Sequence, residues 1–273
     1  MLQLSISNIL VPVDFSRRVE HAARTAQCLA AHFHAELTLL HVMERFHVGY
    51  AMVEPFEASL RELARAHRSK MSAQLDSFAF RDSKDVKVTR IIAEGDASDE
   101  ILKCSKDADL MVMPTQGHSR LRGMLIGSVT AKVLDESSRP ILTGAHLEQE
   151  GGLAEWQPFR NILCAVDLGA RTDCVLGWGA ALANEFHAKV TMLHVSSDPT
   201  AGDRLASVLR TAGIEASALV AGGDPHKVVA ATAAQIKADL VIIGRGTAAH
   251  TLGRLRAQAY GIIRQAPCPV LSV

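Results

Sequence analysis

The sequence predicts an α/β fold of two tandem Rossmann-like domains, each a five-stranded parallel sheet with helices on both faces. Three observations predict it. Short apolar, β-rich runs alternate with longer segments of helical period. The strand-like runs are apolar at consecutive positions, as in strands covered on both faces. The whole alternation occurs twice, in the same order.

The repeat is legible block by block. Asn8-Ile-Leu-Val-Pro-Val-Asp14 returns as Asn161-Ile-Leu-Cys-Ala-Val-Asp167, and Leu37–Val42 as Val190–Val195. Glu94-Gly-Asp96 returns as Gly222-Gly-Asp224, Ala108–Met113 as Ala238–Ile243, and Arg139–Leu142 as Cys268–Leu271. The expected boundaries are a first domain over 1–146, a linker over 147–158 and a second domain over 159–273; Glu148-Gln-Glu-Gly-Gly152 has linker composition.

In the first copy the strands are expected at Ile9–Val13, Leu37–Val42, Val86–Ile92, Leu110–Met113 and Ile141–Gly144. Helices are expected near Arg17–Phe33, Pro55–Phe78, Ser98–Lys106 and Met124–Ser137, with Ser16 placed to cap the first. The second copy has strands near Ile162–Val166, Val190–Val195, Glu215–Val220, Leu240–Ile243 and Val270–Val273. Spacing between copies is 153 residues at Asp14/Asp167 and His41/His194, but 128 at Gly95/Gly223, a difference of 25 residues. The shortfall falls on the second helix, long in copy one (54–78) and short in copy two (near Gly202–Ala212).

Composition excludes several classes. Lys plus Arg equals Asp plus Glu at 29 each, so no net charge argues for nucleic acid or an anionic membrane. The five cysteines are odd in number and form no CxxC pair, which suits a reducing compartment better than a disulfide framework. The N-terminus lacks the pattern of a signal peptide and no apolar run reaches membrane-spanning length, so a cytoplasmic protein is expected. The twelve histidines include no HExxH and no Cys/His cluster at zinc spacing. His41 and His194 end second strands at equivalent positions and read as packing residues of the repeat. Asp96 and Asp224 read as turn or cap residues. No nucleophile elbow or Ser/His/Asp arrangement stands out.

Ligands of open parallel sheets bind beyond the carboxyl ends of strands, where strand order reverses. If the first and fourth strands are neighbours there, two loops line the crevice. One begins at Asp14. The other is Pro114-Thr-Gln-Gly117, leading through Gly123 to Gly127-Ser128 at a helix start. Glycines permit close backbone approach, and free N–H groups at a helix start favour anionic oxygens.

These residues resemble the universal stress protein family in its tandem two-domain form, an adenine nucleotide alpha hydrolase-like group. The family's hallmark is Gly-x-x-Gly, nine residues, then Gly-Ser or Gly-Thr. Copy one has Pro114-Thr-Gln-Gly117, nine residues (His118 to Ile126), then Gly127-Ser128-Val129; Pro114 is the single departure. The resemblance implies that Asp14 contacts the ribose or, less directly, the adenine, that the Val42 backbone meets the adenine edge with Pro12 packed nearby, and that Gly117, Gly127 and Ser128 hold the phosphates with Val129 behind them. Pro114 has no N–H to give, so it suits the position if only a carbonyl is needed there. The implied ligand is ATP or another adenine nucleotide, with or without Mg²⁺. The implied role is a regulatory binding protein of the stress response with little or no catalysis: no P-loop-type lysine and no water-activating pair is present. The alternatives are a nucleotide-independent protein-interaction module and a slow ATPase. The resemblance further implies an intramolecular pseudo-dimer joined near the terminal strands 141–145 and 270–273, an unidentified protein partner, and homodimerisation as an open question.

Copy two departs further. Gly244-Arg-Gly-Thr247 keeps the first glycine but not the second, and Arg256-Ala257 stands where Gly127-Ser128 stood. Its loop is therefore expected to be degenerate. Arg245, Arg254 and Arg256 are open to three readings: anion binding, a solvated face, or pairing across the domain interface.

Overall fold

The structure is a computed structural model that describes residues 5–44, 54–78, 86–115, 126–144, 159–245 and 254–273. The linker residues 147–158 lie outside the described residues.

The first half runs β1 (Asn8–Pro12), α1 (Arg17–Phe33), β2 (Glu36–Met43), α2 (Glu54–Asp76), β3 (Val88–Glu94), α3 (Ala97–Cys104), β4 (Leu110–Val112), α4 (Ser128–Glu136) and β5 (Ile141–Thr143). The second runs β6 (Asn161–Val166), α5 (Thr172–Phe186), β7 (Lys189–Val195), α6 (Ala201–Ala212), β8 (Ser217–Ala221), α7 (Pro225–Gln235), β9 (Leu240–Ile243), α8 (Arg254–Gln265) and β10 (Val270–Ser272). All ten strands form one sheet in the order β3-β2-β1-β4-β5-β10-β9-β6-β7-β8. Pairing is parallel within each half, and β5 and β10 join the halves antiparallel.

Strand alternation splits the apolar residues between two layers. Ile9 and Val11 face the layer under α1 and α2, while Leu10 faces the layer under α3 and α4. Ile162 and Cys164 share the first layer with α5 and α6, and Leu163 shares the second with α7 and α8. These strand side chains are almost wholly inaccessible, and each large one stabilises the fold by about 1.5–3 kcal/mol. Alanines and a glycine let the inner helices come close. Ala22, Ala23, Ala26 and Ala30 are buried on α1. At Gly179 of α5 an added Cβ would lie 2.5 Å from Cys164 Sγ.

α1 matches its predicted span because Ser16 ends it cleanly: the Ser16 hydroxyl accepts from the Val19 amide. Most other expected boundaries shift by one or two residues. β3 and β8 each begin two residues later than their apolar runs suggest. α4 begins at Ser128 rather than Met124, because Gly127 holds extended angles (φ −66°, ψ 152°) and acts as the N-cap. The apolar run before it continues the helical pattern without being helical at Ile126.

Counterpart positions meet across the join. Pro140 and Pro269 are matched, so Leu142 and Leu271, which pair in the sheet, are counterparts. Counting back equally from those prolines, Ala131 matches Tyr260, whose hydroxyl donates to the Ala131 carbonyl at 3.0 Å. His32 and Phe33 of α1 match Glu185 and Phe186 of α5. His32 Nε2 lies 2.8 Å from Glu185 Oε1, and the two phenylalanine rings pack edge to face at 5.8 Å. Arg245 of copy two crosses to the C-terminal end of α4, donating to the carbonyls of Leu134 (3.1 Å) and Arg139. Of its three sequence readings, the structure shows the interface one.

Candidate functional site

β1 pairs with β2 on one side and β4 on the other, so strand order reverses between β1 and β4. Beyond that point the sequence places its expected crevice. Pro12 ends β1, and Asp14 follows it, half-buried, with Oδ1 accepting from the Ser16 amide at 2.9 Å. That bond fixes the turn into α1 and orients the carboxylate. Phe15 takes a left-handed conformation (φ 59°) and its ring packs tilted against His41, with centroids 4.5 Å apart. Val42, near the end of β2, is half-buried against the α3/α4 layer.

The second loop leaves β4 at Met113. The Pro114 carbonyl accepts from the Thr130 hydroxyl at 3.2 Å, and the Thr115 carbonyl from the Gly127 amide at 2.8 Å. These bonds close the loop base onto the first turn of α4. A proline meets the requirement at 114, since the bond uses its carbonyl. Gly127 is the N-cap, Ser128 is exposed at the first helical position, and no side chain caps α4. Val129 is half-buried behind it against the same layer. Of the eight residues singled out from the sequence, Gly117 lies outside the described residues. The other seven stand on the two loops and strand ends that flank the β1/β4 switch point. Among the described residues no group of three or more His, Cys, Asp or Glu could hold a metal ion.

Copy two repeats the frame: β6 pairs with β7 and β9. A cavity of about 390 Å³ lies beyond these strand ends, bounded by Asp167, Arg171, Thr172, Val195, Gly244 and Ile262 among others. The helix that should present Arg256-Ala257 differs from α4. α8 is already helical from Arg254, so the counterpart of the Gly127 cap sits inside the first turn. Erosion of the phosphate-type loop was expected here, and Asp167 and Val195, which copy two keeps from the repeat, border the cavity.

His41 and His194 play one role twice. Each Nδ1 bonds a carbonyl at the end of the neighbouring strand, Val13 at 2.7 Å and Val166 at 2.8 Å. Asp96 caps α3 through the Asp99 amide, as its turn position suggested. Asp224 stands at the N-cap of α7 but bonds His226 Nδ1 at 2.7 Å rather than an amide.

A doubly wound parallel half-sheet, repeated in tandem with strand order reversing once in each copy, defines the class of protein. The Universal stress protein family matches residues 5–143 and 203–273, and the chain belongs to that family. Universal stress protein MJ0577 from Methanocaldococcus jannaschii is 29% identical over 161 residues, covering 52% of this chain and 96% of the relative. A universal stress protein from Thermus aquaticus is 30% identical over 138 residues, 49% of this chain and 95% of its own. Both relatives therefore correspond to about one copy of the repeat. The crystal structure of a universal stress protein from Archaeoglobus fulgidus covers 97% of this chain and 95% of its own, with TM-score 0.67 and 22% identity, a likeness of fold. No helix among the described residues is long and apolar enough to cross a membrane.

Proposed function

We propose that the chain is a cytoplasmic stress-response regulatory protein that binds ATP or a related adenine nucleotide in its first domain (1–146), with little or no catalysis. The second domain (159–273), reached through a linker at 147–158, is its intramolecular pseudo-dimer partner. One observation carries the reading: Asp14 and the uncapped, exposed start of α4 at Gly127-Ser128 flank one switch point. A helix N-terminus with unclaimed amides favours phosphate oxygens. In this reading Asp14, whose Oδ1 accepts from the Ser16 amide, takes a hydrogen bond from a ribose hydroxyl. In the same reading Pro12 and the Val42 backbone frame the base, and Pro114, Gly117 and Val129 belong to the phosphate loop. Mg²⁺, where it accompanies the nucleotide, would bind through the phosphates. The free thiols suit a reducing compartment.

The test is mass spectrometry of small molecules released from native protein, with calorimetric titration of ATP into wild type and Gly127→Arg. We expect ATP to bind wild type and to lose at least about tenfold in affinity in the variant, whose side chain occupies the phosphate end. No heat and no released nucleotide would leave the protein-interaction reading, with the loops kept for structure. Product formed during long incubation with ATP and Mg²⁺ would instead show a slow ATPase.

A further inference from the structure

The sheet ends at β3 on one side and at β8 on the other, and the two edges are finished differently. The Lys87 carbonyl and the Gly95 amide bond to β2, so by alternation the backbone groups of Arg90, Ile92 and Glu94 point outward. Arg68 of α2 donates to that Ile92 carbonyl at 3.3 Å and pairs with Glu94, and Arg90 donates to the Leu75 carbonyl. A covering helix and charged side chains protect this edge from pairing with another strand.

β8 is bare by comparison. The 25 residues that copy two lacks fall on the helix that would cover it: α6 has 12 residues where α2 has 23. The Ala221 carbonyl accepts from the Ser196 amide, so the backbone groups of Ala218 and Val220 point away from β7. Among the described residues no side chain bonds them. β8 reads Ser217-Ala-Leu-Val-Ala221, with no charge and no proline, and Leu219 and Val220 are each 40% exposed.

The edge fits itself. Ala218 pairs with Met192 of the α5/α6 layer, and Leu219 with Leu193 of the α7/α8 layer, so Val220 shares the α6 face with Ala218. On that face a groove of about 490 Å³ lies beside Ala218, bordered by Ala206, Leu209, Gly213 and Ile214. An antiparallel two-fold about Leu219 sets Val220 of each copy opposite Ala218 of the other, so each exposed valine meets the other's groove. That register opposes outward-pointing residues, which then exchange both backbone hydrogen bonds. Leu219 meets its own counterpart on the α7 face, and no charge within the strand opposes a like charge.

We propose that β8 is an interface between two copies of this chain, paired antiparallel about Leu219 so that their sheets run on as one. A second copy is favoured over an unrelated strand because projection and groove lie two residues apart on one strand, as a contact of a surface with itself requires. The β5–β10 pairing already makes an antiparallel join inside the chain and uses up those two edges. The interface is independent of the nucleotide reading of copy one.

The test is sedimentation equilibrium of the full chain at about 50 μM, for wild type, Ala218→Pro and Val220→Lys. Wild type should be a dimer. Ala218→Pro removes an amide that points away from β7, and Val220→Lys replaces an exposed side chain, so both should keep the wild-type unfolding midpoint. Each should weaken the dimer at least about tenfold. Leu219→Cys should form a disulfide-linked dimer under mild oxidation, whereas Leu63→Cys, at an exposed position of α2, should not. A monomeric wild type overturns the proposal and leaves the edge to an extended segment of another protein. A dimer that either variant keeps at wild-type strength, or cross-linking of Leu219→Cys no greater than that of Leu63→Cys, overturns it too.

Discussion

His41 Nδ1 lies 2.7 Å from the Val13 carbonyl, and His194 repeats the bond to Val166 at 2.8 Å. Because the carbonyl accepts, Nδ1 must carry the proton. Each imidazole ties the end of a second strand to the end of a first, where the aspartate loop departs. Replacing either histidine by leucine leaves a buried carbonyl unpaired. We expect a loss of about 1–3 kcal/mol in urea unfolding for each variant. A loss below about 0.5 kcal/mol would show that the bond is incidental.

α5 lies close against the sheet at Gly179, where an added Cβ would stand 2.5 Å from Cys164 Sγ. In copy one the matching pair is Ala26 over Val11. Gly179→Ala should overpack this contact and cost about 1–3 kcal/mol. Combining it with Cys164→Ala should recover stability relative to the sum of the single variants, and a double-mutant cycle reads this coupling directly. Strict additivity would contradict the contact.

Burial pushes the thiols of Cys164 and Cys268 up to about 12. Their ordinary value is about 8.5, so above that pH the unfolded chain binds fewer protons than the folded one. Their contribution to stability is fully present below about pH 8.5. It is lost as pH rises toward 12, at about 1.4 kcal/mol per pH unit for each thiol. Denaturant midpoints measured between pH 8 and 10 should fall more steeply in wild type than in a Cys164→Ala, Cys268→Ala variant. In native protein at pH 8, neither thiol should react with a chromogenic disulfide that labels both after unfolding.

Arg245 is half-buried at the join, where desolvation and the neighbouring Arg171 lower its pKa to about 10. Arg245→Leu removes the donors to the Leu134 and Arg139 carbonyls. The unpaired carbonyls outweigh the relief of removing a half-buried cation, and we expect a loss of about 1–3 kcal/mol. Hydrogen exchange at the end of α4 should quicken in the variant. Unchanged exchange there would rule out a capping role for this side chain.

Much of the fold was legible because consecutive apolar residues mark a strand covered on both faces, and because each block occurs twice. α1 was placed to the residue by Ser16. The start of α4 was misplaced because Met124-Leu-Ile126 extends a helical pattern that Gly127 ends through its backbone angles, which no side-chain pattern encodes. The adjacency of β1 with β4 and of β6 with β9 was readable, since it is a rule of such sheets. The packing of Arg171 against Gly244 was not, because it joins residues 73 positions apart that neither position announces alone.

The meeting of Tyr260 with Ala131 has a consequence for how such a protein changes over time. In an assembly of two identical chains about a two-fold axis, every substitution at the axis appears twice and must fit its own copy. A tyrosine would then oppose a tyrosine. Fusion into one chain lifts that restriction, so one side can enlarge while the other stays small. Fusion also makes the join intramolecular, so its integrity does not depend on dilution. The two halves are thereby free to specialise separately without ever parting.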